Sequence, residues 1–302
     1  MNWDQARKLL HIDGATSALR AEAGTQTRPT QATGMHLVRA ASLCVASGKG
    51  GTGKSVVSAS LAATFARVAK TLIVDADMGV GNAHIMQDVA PERSFVDVVE
   101  GRAGVRGILA SCGDNLDLLA AGSGVSRMAA LTSWELHLVA GGIAEIEGEY
   151  AYVLVDSAAG ISSQTVALAA ASDLVLIVTT PDVTALTDAY AFLKVLLMRR
   201  PDCSPLFVVN RASSFEEGVH VAERLCAVSK RFLRREPRCV GILPDDRAVV
   251  RCVNARAPVV VREPDSPFAK ALTLVAERIR SELARETGRG LGRSLMSMSS
   301  EH

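Results

Sequence analysis

The sequence predicts an α/β protein with a doubly wound, largely parallel β-sheet covered by helices on both faces. Three observations carry that expectation. Short apolar runs alternate with longer amphipathic segments from His36 to about Leu283, the order that βαβ units produce. The runs are near-continuous Val, Ile and Leu rather than alternating, which suits strands buried on both sides. Finally, Gly48-Lys49-Gly50-Gly51-Thr52-Gly53-Lys54-Ser55 lies between one such run and a helical pattern, the context in which a glycine-rich loop holds phosphate.

Taken in order, residues 1–34 read as a separate N-terminal piece. A helical pattern from Asp4 to about Ala23 is followed by a polar, Thr-rich stretch, Gly24 to Gly34, of linker composition. Residues 35–287 form the main domain. Its expected strands are Leu37–Ala46, Thr71–Val74, Leu116–Leu119, Tyr152–Val155, Leu174–Thr179, Leu206–Val209 and Val240–Leu243. Helical patterns separate most of them, including Val56 to Ala69 and about Ser266 to Arg285. Residues 288–302 are a tail, and tail and arm are the parts expected to be poorly tied down.

Composition excludes several function classes. A chain of 302 residues, 48% hydrophobic and 22% charged, buries a sizeable core. Lys and Arg number 33 against 32 Asp and Glu, so no global field draws nucleic acid, and no direct nucleic-acid binding is expected. The six cysteines are scattered without a C-x-x-C pair, and no apolar signal core opens the chain. Both point to a reducing, cytoplasmic setting and away from disulfides, zinc or iron–sulfur clusters. The longest apolar runs are strand-sized, well short of the roughly 18 to 20 residues of a membrane span.

The loop from Gly48 to Ser55 satisfies G-x-x-x-x-G-K-[ST]. Glycines at 48, 50, 51 and 53 let the backbone turn its N–H groups inward, and the following helix adds the positive end of its dipole. Lys54 then reaches the β- and γ-phosphates. Thr52 completes the cradle, and Ser55 is a candidate Mg²⁺ ligand. Two further strands end in carboxylates, Leu72-Ile73-Val74-Asp75 and Tyr152-Val153-Leu154-Val155-Asp156. Asp75 and Asp156 join Ser55 as candidate Mg²⁺ ligands, and the glycine of Asp156-Ser157-Ala158-Ala159-Gly160 lets that loop respond to the γ-phosphate. A nucleoside triphosphate and Mg²⁺ are the cofactors these residues call for.

Lys49-Gly-Gly-Thr-Gly-Lys54-Ser55 resembles the deviant Walker A motif of the MinD/ParA family, which belongs to the SIMIBI-type P-loop NTPases. Asp75-Ala76-Asp77-Met78-Gly79-Val80-Gly81-Asn82 resembles that family's D-x-D-x-G-x-x-N loop. The resemblance implies an ATP-dependent homodimer in which Lys49 crosses to the partner's nucleotide, as an arginine finger does elsewhere. It further implies that Asp77 positions the attacking water. The sequence departs from the family's usual D-T-G-A-G or D-T-P-P-G at Ser157 and Ala158. Asn210, followed by Arg211, resembles the adenine-reading Asn, whose amide offers both a donor and an acceptor. Pro244 and Asp245, after the last strand, resemble the second adenine-contacting loop.

The arm narrows the resemblance. Asp4-Gln5-Ala6-Arg7-Lys8-Leu9 is similar to the D-Q-A-x-x-L-R motif that opens the FlhG (FleN) group of flagellar-number ATPases, with Leu10 where the motif ends in Arg. In that group the arm docks on the GTPase FlhF. The resemblance therefore implies an FlhF-type partner activated through Asp4 and Gln5, together with basal-body or transcriptional partners. In the tail, Leu291, Leu295 and Met298 fall at helical spacing beside Arg289 and Arg293. They form either a stripe for peripheral membrane contact or, given glycines at 288, 290 and 292, a disordered terminus. Two rival readings stay open: a division-site or cargo-positioning ATPase, and a nucleotide-gated scaffold that does not hydrolyse.

Overall fold

The computed structural model describes residues 40–77, 81–122, 131–286 and 288–299. The arm with Asp4 and Gln5, the start of the expected first strand, and Met78, Gly79 and Val80 of the first acidic loop lie outside the described residues.

Eight strands form one sheet: β1 (Ala41–Ser47), β2 (Thr71–Ala76), β3 (Leu109–Gly113), β4 (Leu116–Leu119), β5 (Tyr152–Ala159), β6 (Leu174–Thr179), β7 (Leu206–Ala212) and β8 (Arg238–Pro244). Their order is β3-β4-β2-β5-β1-β6-β7-β8. Every neighbouring pair is parallel except β3 and β4. Strands β2 and β6 are buried along their whole length, as continuous apolar runs predict. Seven strands match expected runs. β3 does not, because Leu109-Ala110-Ser111-Cys112-Gly113 has one large apolar residue and is partly exposed throughout. This edge strand is specified by its ladder to β4 rather than by burial.

Eleven helices accompany the sheet among the described residues: α1 (Lys54–Ala66), α2 (Ala83–Met86), α3 (Phe95–Val99), α4 (Ser133–Ile146), α5 (Ser163–Ala171), α6 (Val183–Arg199), α7 (Phe215–Leu233), α8 (Arg247–Asn254), α9 (Val259–Arg262), α10 (Pro267–Leu283) and α11 (Leu291–Ser299). Helix α1 packs with α9 and α10, enclosing a core of Leu43, Val45, Leu61, Phe65, Leu154, Leu176, Phe268 and Leu272. Elsewhere α6 bridges α5 and α7, and α11 lies on α4 and α5. Ser and Thr caps fix where helices begin: Thr132 with Glu135 for α4, Ser162 for α5, Ser214 for α7, and Ser266 with Pro267 for α10. Long helices thus start at the carboxyl ends of the strands, where open α/β sheets bind ligands. No helix among the described residues is long and apolar enough to cross a membrane.

The tail corrects an expectation, for its residues Leu291–Ser299 form the helix α11. Leu291 and Leu295 are fully buried, so the apolar stripe lies against the protein. Gly292 sits on α4 so closely that a Cβ there would come 2.5 Å from the Ala140 carbonyl oxygen. Glu147 accepts the Gly292 amide at 3.0 Å at the helix start. Glycine in a helix costs about 1 kcal/mol, whereas burying two leucines returns roughly 1.5–3 kcal/mol each. The glycine that opposes an isolated helix is what allows this one to dock.

Candidate nucleotide site

The phosphate loop is shaped by three glycines, Gly48, Gly51 and Gly53, that a side chain would disturb. Gly51 and Gly53 have φ of 82° and 85°, a left-handed backbone that side chains oppose. A Cβ on Gly53 would also meet the Asn210 amide at 2.3 Å, and one on Gly48 would meet the Asp188 carbonyl oxygen of α6 at 2.1 Å. Gly50 is exposed. Thr52 is buried, and its carbonyl accepts from Asn210 Nδ2 at 2.8 Å.

The two lysines of the loop occupy different stations. Lys54 is buried, and its Nζ lies 2.8 Å from Asp156 Oδ1 and 3.4 Å from Ser55 Oγ. Lys49 is exposed, with Nζ donating to Thr184 Oγ1 in the first turn of α6 at 2.7 Å. Thr184 escaped the sequence reading because no local signal links positions 135 residues apart. Ser58 escaped it too: its hydroxyl donates to Asp156 Oδ1 at 2.9 Å. The signal was available, since Ser58 follows Lys54 by four residues and so shares its face of α1.

Asp75 and Asp156 are paired neighbours in β2 and β5, and both are almost fully buried; β5 runs on to Ala159, past the end expected at Val155. Burial, and then the Asp156 carboxylate beside it, push the Asp75 carboxyl up to about 7. The Asp75 oxygens accept the amides of Asp77 at 3.2 Å and Ala83 at 3.0 Å. Ser157 donates to the Val45 carbonyl at 3.0 Å, and the Gly160 amide donates to Ser47 at 2.9 Å. The second acidic loop, departures included, is therefore tied to β1.

At the other flank, β7 and β8 bring the expected base-contacting residues together. Asn210 is buried and its Oδ1 has no hydrogen-bond partner among the described residues. Arg211 has φ of 59°, and its exposed Nε lies 3.8 Å from Asp245 Oδ1. The Asp245 amide donates to Ala212 at 2.9 Å, and Ala212 pairs with Pro244. A buried, unpaired amide oxygen costs roughly 1–3 kcal/mol, so this is the place where a ligand donor fits best.

The donor set also fits Mg²⁺: a hydroxyl at Ser55 and a carboxylate at Asp156, both hard oxygens, face the loop that would carry phosphates. No group of three or more His, Cys, Asp or Glu forms an all-protein metal cage among the described residues.

Comparison with known proteins agrees. The AAA-domain family model matches residues 40–199. The chain is 31% identical over 248 residues to the antiactivator FleN of Pseudomonas aeruginosa, covering 82% of this chain and 88% of FleN. It is 30% identical over 251 residues to the flagellum site-determining protein YlxH of Helicobacter pylori, covering 82% and 83%. The septum site-determining protein MinD of Pyrococcus horikoshii, solved in complex with Mg-ADP, superposes with a TM-score of 0.68 at 22% identity, covering 80% of this chain and 96% of that one. With its loop of two lysines and its fold both accounted for, this chain belongs to the MinD/ParA family of P-loop ATPases, of the kind that FleN represents.

Proposed function

We propose that this chain is a slow Mg-ATP-driven switch that sets flagellar number or placement. ATP closes a homodimer, the dimer presents a partner surface, and hydrolysis reopens it. The observation that carries the reading is the separation of the two lysines: Lys54 is buried against Asp156, whereas Lys49 is exposed at the rim. One lysine serves the chain's own phosphates and the other is available to a second copy.

In this reading the loop amides and Lys54 bind the phosphates. Lys54 leaves Asp156 for the β- and γ-phosphates, while Ser58 stays to hold the Asp156 carboxylate. Ser55 and Asp156 hold the metal, which when bound neutralises charge on the β- and γ-phosphates. Asp77 orients the attacking water, Lys49 reaches the partner's nucleotide in trans, and Asn210 Oδ1 accepts from the adenine amine, with Arg211, Pro244 and Asp245 beside the base. The flagellar assignment is supported by the likeness to FleN and YlxH and by Asp4-Gln5-Ala6 in the arm, through which the chain stimulates an FlhF-type GTPase. The peripheral membrane contact proposed for the tail requires α11 to leave α4.

The test is dimerisation with ATP, read by light scattering. Lys49→Ala should bind ATP and stay monomeric, and Asp77→Ala should bind ATP and accumulate as dimer. A Lys49→Ala protein that dimerises like the parent removes the trans-lysine role. Stimulation of FlhF by the full chain, lost in Gln5→Ala, separates a flagellar regulator from a division or cargo ATPase.

A further inference from the structure

The two buried carboxylates at the site are held in different ways. Side chains hold Asp156, through Lys54 Nζ and Ser58 Oγ on its Oδ1. Backbone holds Asp75, whose Oδ1 accepts the Asp77 amide and whose Oδ2 accepts the Ala83 amide. Those two amides bracket residues 78–82, so one carboxylate ties both ends of a single loop. Asp suits the near tie, since its short side chain reaches its own backbone two residues on. Gly81 closes over the top: a Cβ there would lie 2.5 Å from Asp75 Oδ2 and 2.9 Å from Oδ1.

We propose that Asp75 is a positioning residue and not a metal ligand: it clasps the loop 77–83 and thereby fixes where Asp77 stands. Amide bonds to this carboxyl are charge-assisted, and about twice as strong as neutral ones, whenever Asp75 is ionised. With an amide on each oxygen and Gly81 close to both, Asp75 has only its remaining lone pairs to offer a cation. Mg²⁺ does not need it, because one or two carboxylates plus phosphates and water complete its shell. Asp156, held by side chains that can move, is free to serve the metal. The inference rests on the proposed role of Asp77 in hydrolysis, and it replaces the expectation that Asp75 ligates Mg²⁺.

The experiment compares the full-length protein with Asp75→Asn and Gly81→Ala. Asn keeps one acceptor and turns the other into a donor facing an N–H, and the Gly81 methyl attacks the clasp from the opposite side. Three quantities are read: turnover against Mg²⁺ at saturating ATP, ATP binding, and amide exchange in the peptide spanning 77–83. Both variants should lose about 100-fold in kcat, the scale of an ångström's misplacement. ATP affinity and the Mg²⁺ concentration for half-maximal activity should stay within about threefold. Exchange should accelerate in 77–83 alone. A tenfold or larger rise in the Mg²⁺ requirement with unchanged exchange would make Asp75 a metal ligand and overturn the proposal. If Asp75→Asn does not fold, Gly81→Ala decides alone. If the parent shows no turnover, the ATPase reading falls, while exchange and the Mg²⁺ dependence of nucleotide binding still judge the clasp.

Discussion

Strand β1 has two ends that are equally buried and differently finished. At its amino end the Ser42 amide and hydroxyl both donate to Asp173 Oδ2, at 2.8 and 2.7 Å, and the Asp173 amide returns a bond to the Ser42 hydroxyl at 2.9 Å. The Arg289 amide takes Asp173 Oδ1 at 2.8 Å, and the Arg200 guanidinium donates to the carbonyls of Ala170, Ser172 and Asp173. At its carboxyl end two carboxylates stand side by side, one lysine serves Asp156, and Asn210 Oδ1 has no partner among the described residues. Burial is common to both ends and so does not mark the site. A buried polar atom without a hydrogen bond among the described residues is common to both as well, Arg200 Nε at one end and Asn210 Oδ1 at the other; what marks the site is two neighbouring buried carboxylates beside a single lysine.

The comparison breaks most sharply with one substitution at each end. Lys54→Ala should reduce ATP turnover by about 10²–10³-fold, the scale of losing one preorganised donor to developing charge. It should also abolish the stabilisation by Mg-ATP that the parent shows in thermal melts, about 2.7 kcal/mol at 100 times Kd. At the other end, Asp173→Ala strands the buried Ser42 amide and removes the acceptor of the Arg289 amide. It should cost about 3 kcal/mol of stability, a fall in Tm of roughly 6–12 °C for a chain of this size, with kcat unchanged. If Asp173→Ala impaired turnover as well, the two ends would not be independent.

These two ends were not equally legible in the sequence. The carboxyl end announces itself through a loop whose glycines and lysines have fixed spacing, and through apolar runs that stop at Asp75, Asp156 and Asn210. Ser58 could have been read from its four-residue step beyond Lys54. The amino end could not, because Ser42, Asp173 and Arg289 meet only once β1, β6 and the tail are assembled. The same holds for α11. Gly292 reads locally as a helix breaker, and only Ala140 and Ala144 on a distant helix turn it into a contact surface. Strand β3, made mostly of small residues, carries no apolar run at all. The clasp is a subtler case: D-x-D-x-G is visible, but which carboxylate faces the backbone depends on where Gly81 returns.

A pH titration sharpens the contrast. Asp75 has its carboxyl raised from 3.8 to about 7 by burial and by Asp156, so between about pH 4 and 7 the folded state binds more protons than the unfolded. Stability of the nucleotide- and metal-free protein should therefore fall as pH rises through that window, by at most about 1.4 kcal/mol per unit. Glu147, also raised by burial, works in the same direction, so Asp75→Asn should flatten the slope without abolishing it. Urea midpoints at pH 5, 6 and 7 in parent and variant measure the difference, and parallel slopes would mean that Asp75 titrates as an ordinary carboxylate.

The smallest effect concerns the lysine at the rim. Lys49 cannot hold Thr184 of its own chain and a phosphate of the partner at once, so their 2.7 Å bond competes with closure of the proposed dimer. An exposed bond of this kind is worth about 0.5–1 kcal/mol, and since each of the two protomers gives one up, relieving both can shift the dimer equilibrium by about 1–2 kcal/mol. In an Asp77→Ala background, where ATP is retained, Thr184→Val should lower the protein concentration at half-dimerisation by about five- to thirtyfold, the same free energy expressed as a ratio. A midpoint that stays put or rises in a dilution series would show that Thr184 is not the competitor. Lys49 would then be as available before closure as after it, and the rim of the site, unlike its floor, would hold nothing in reserve.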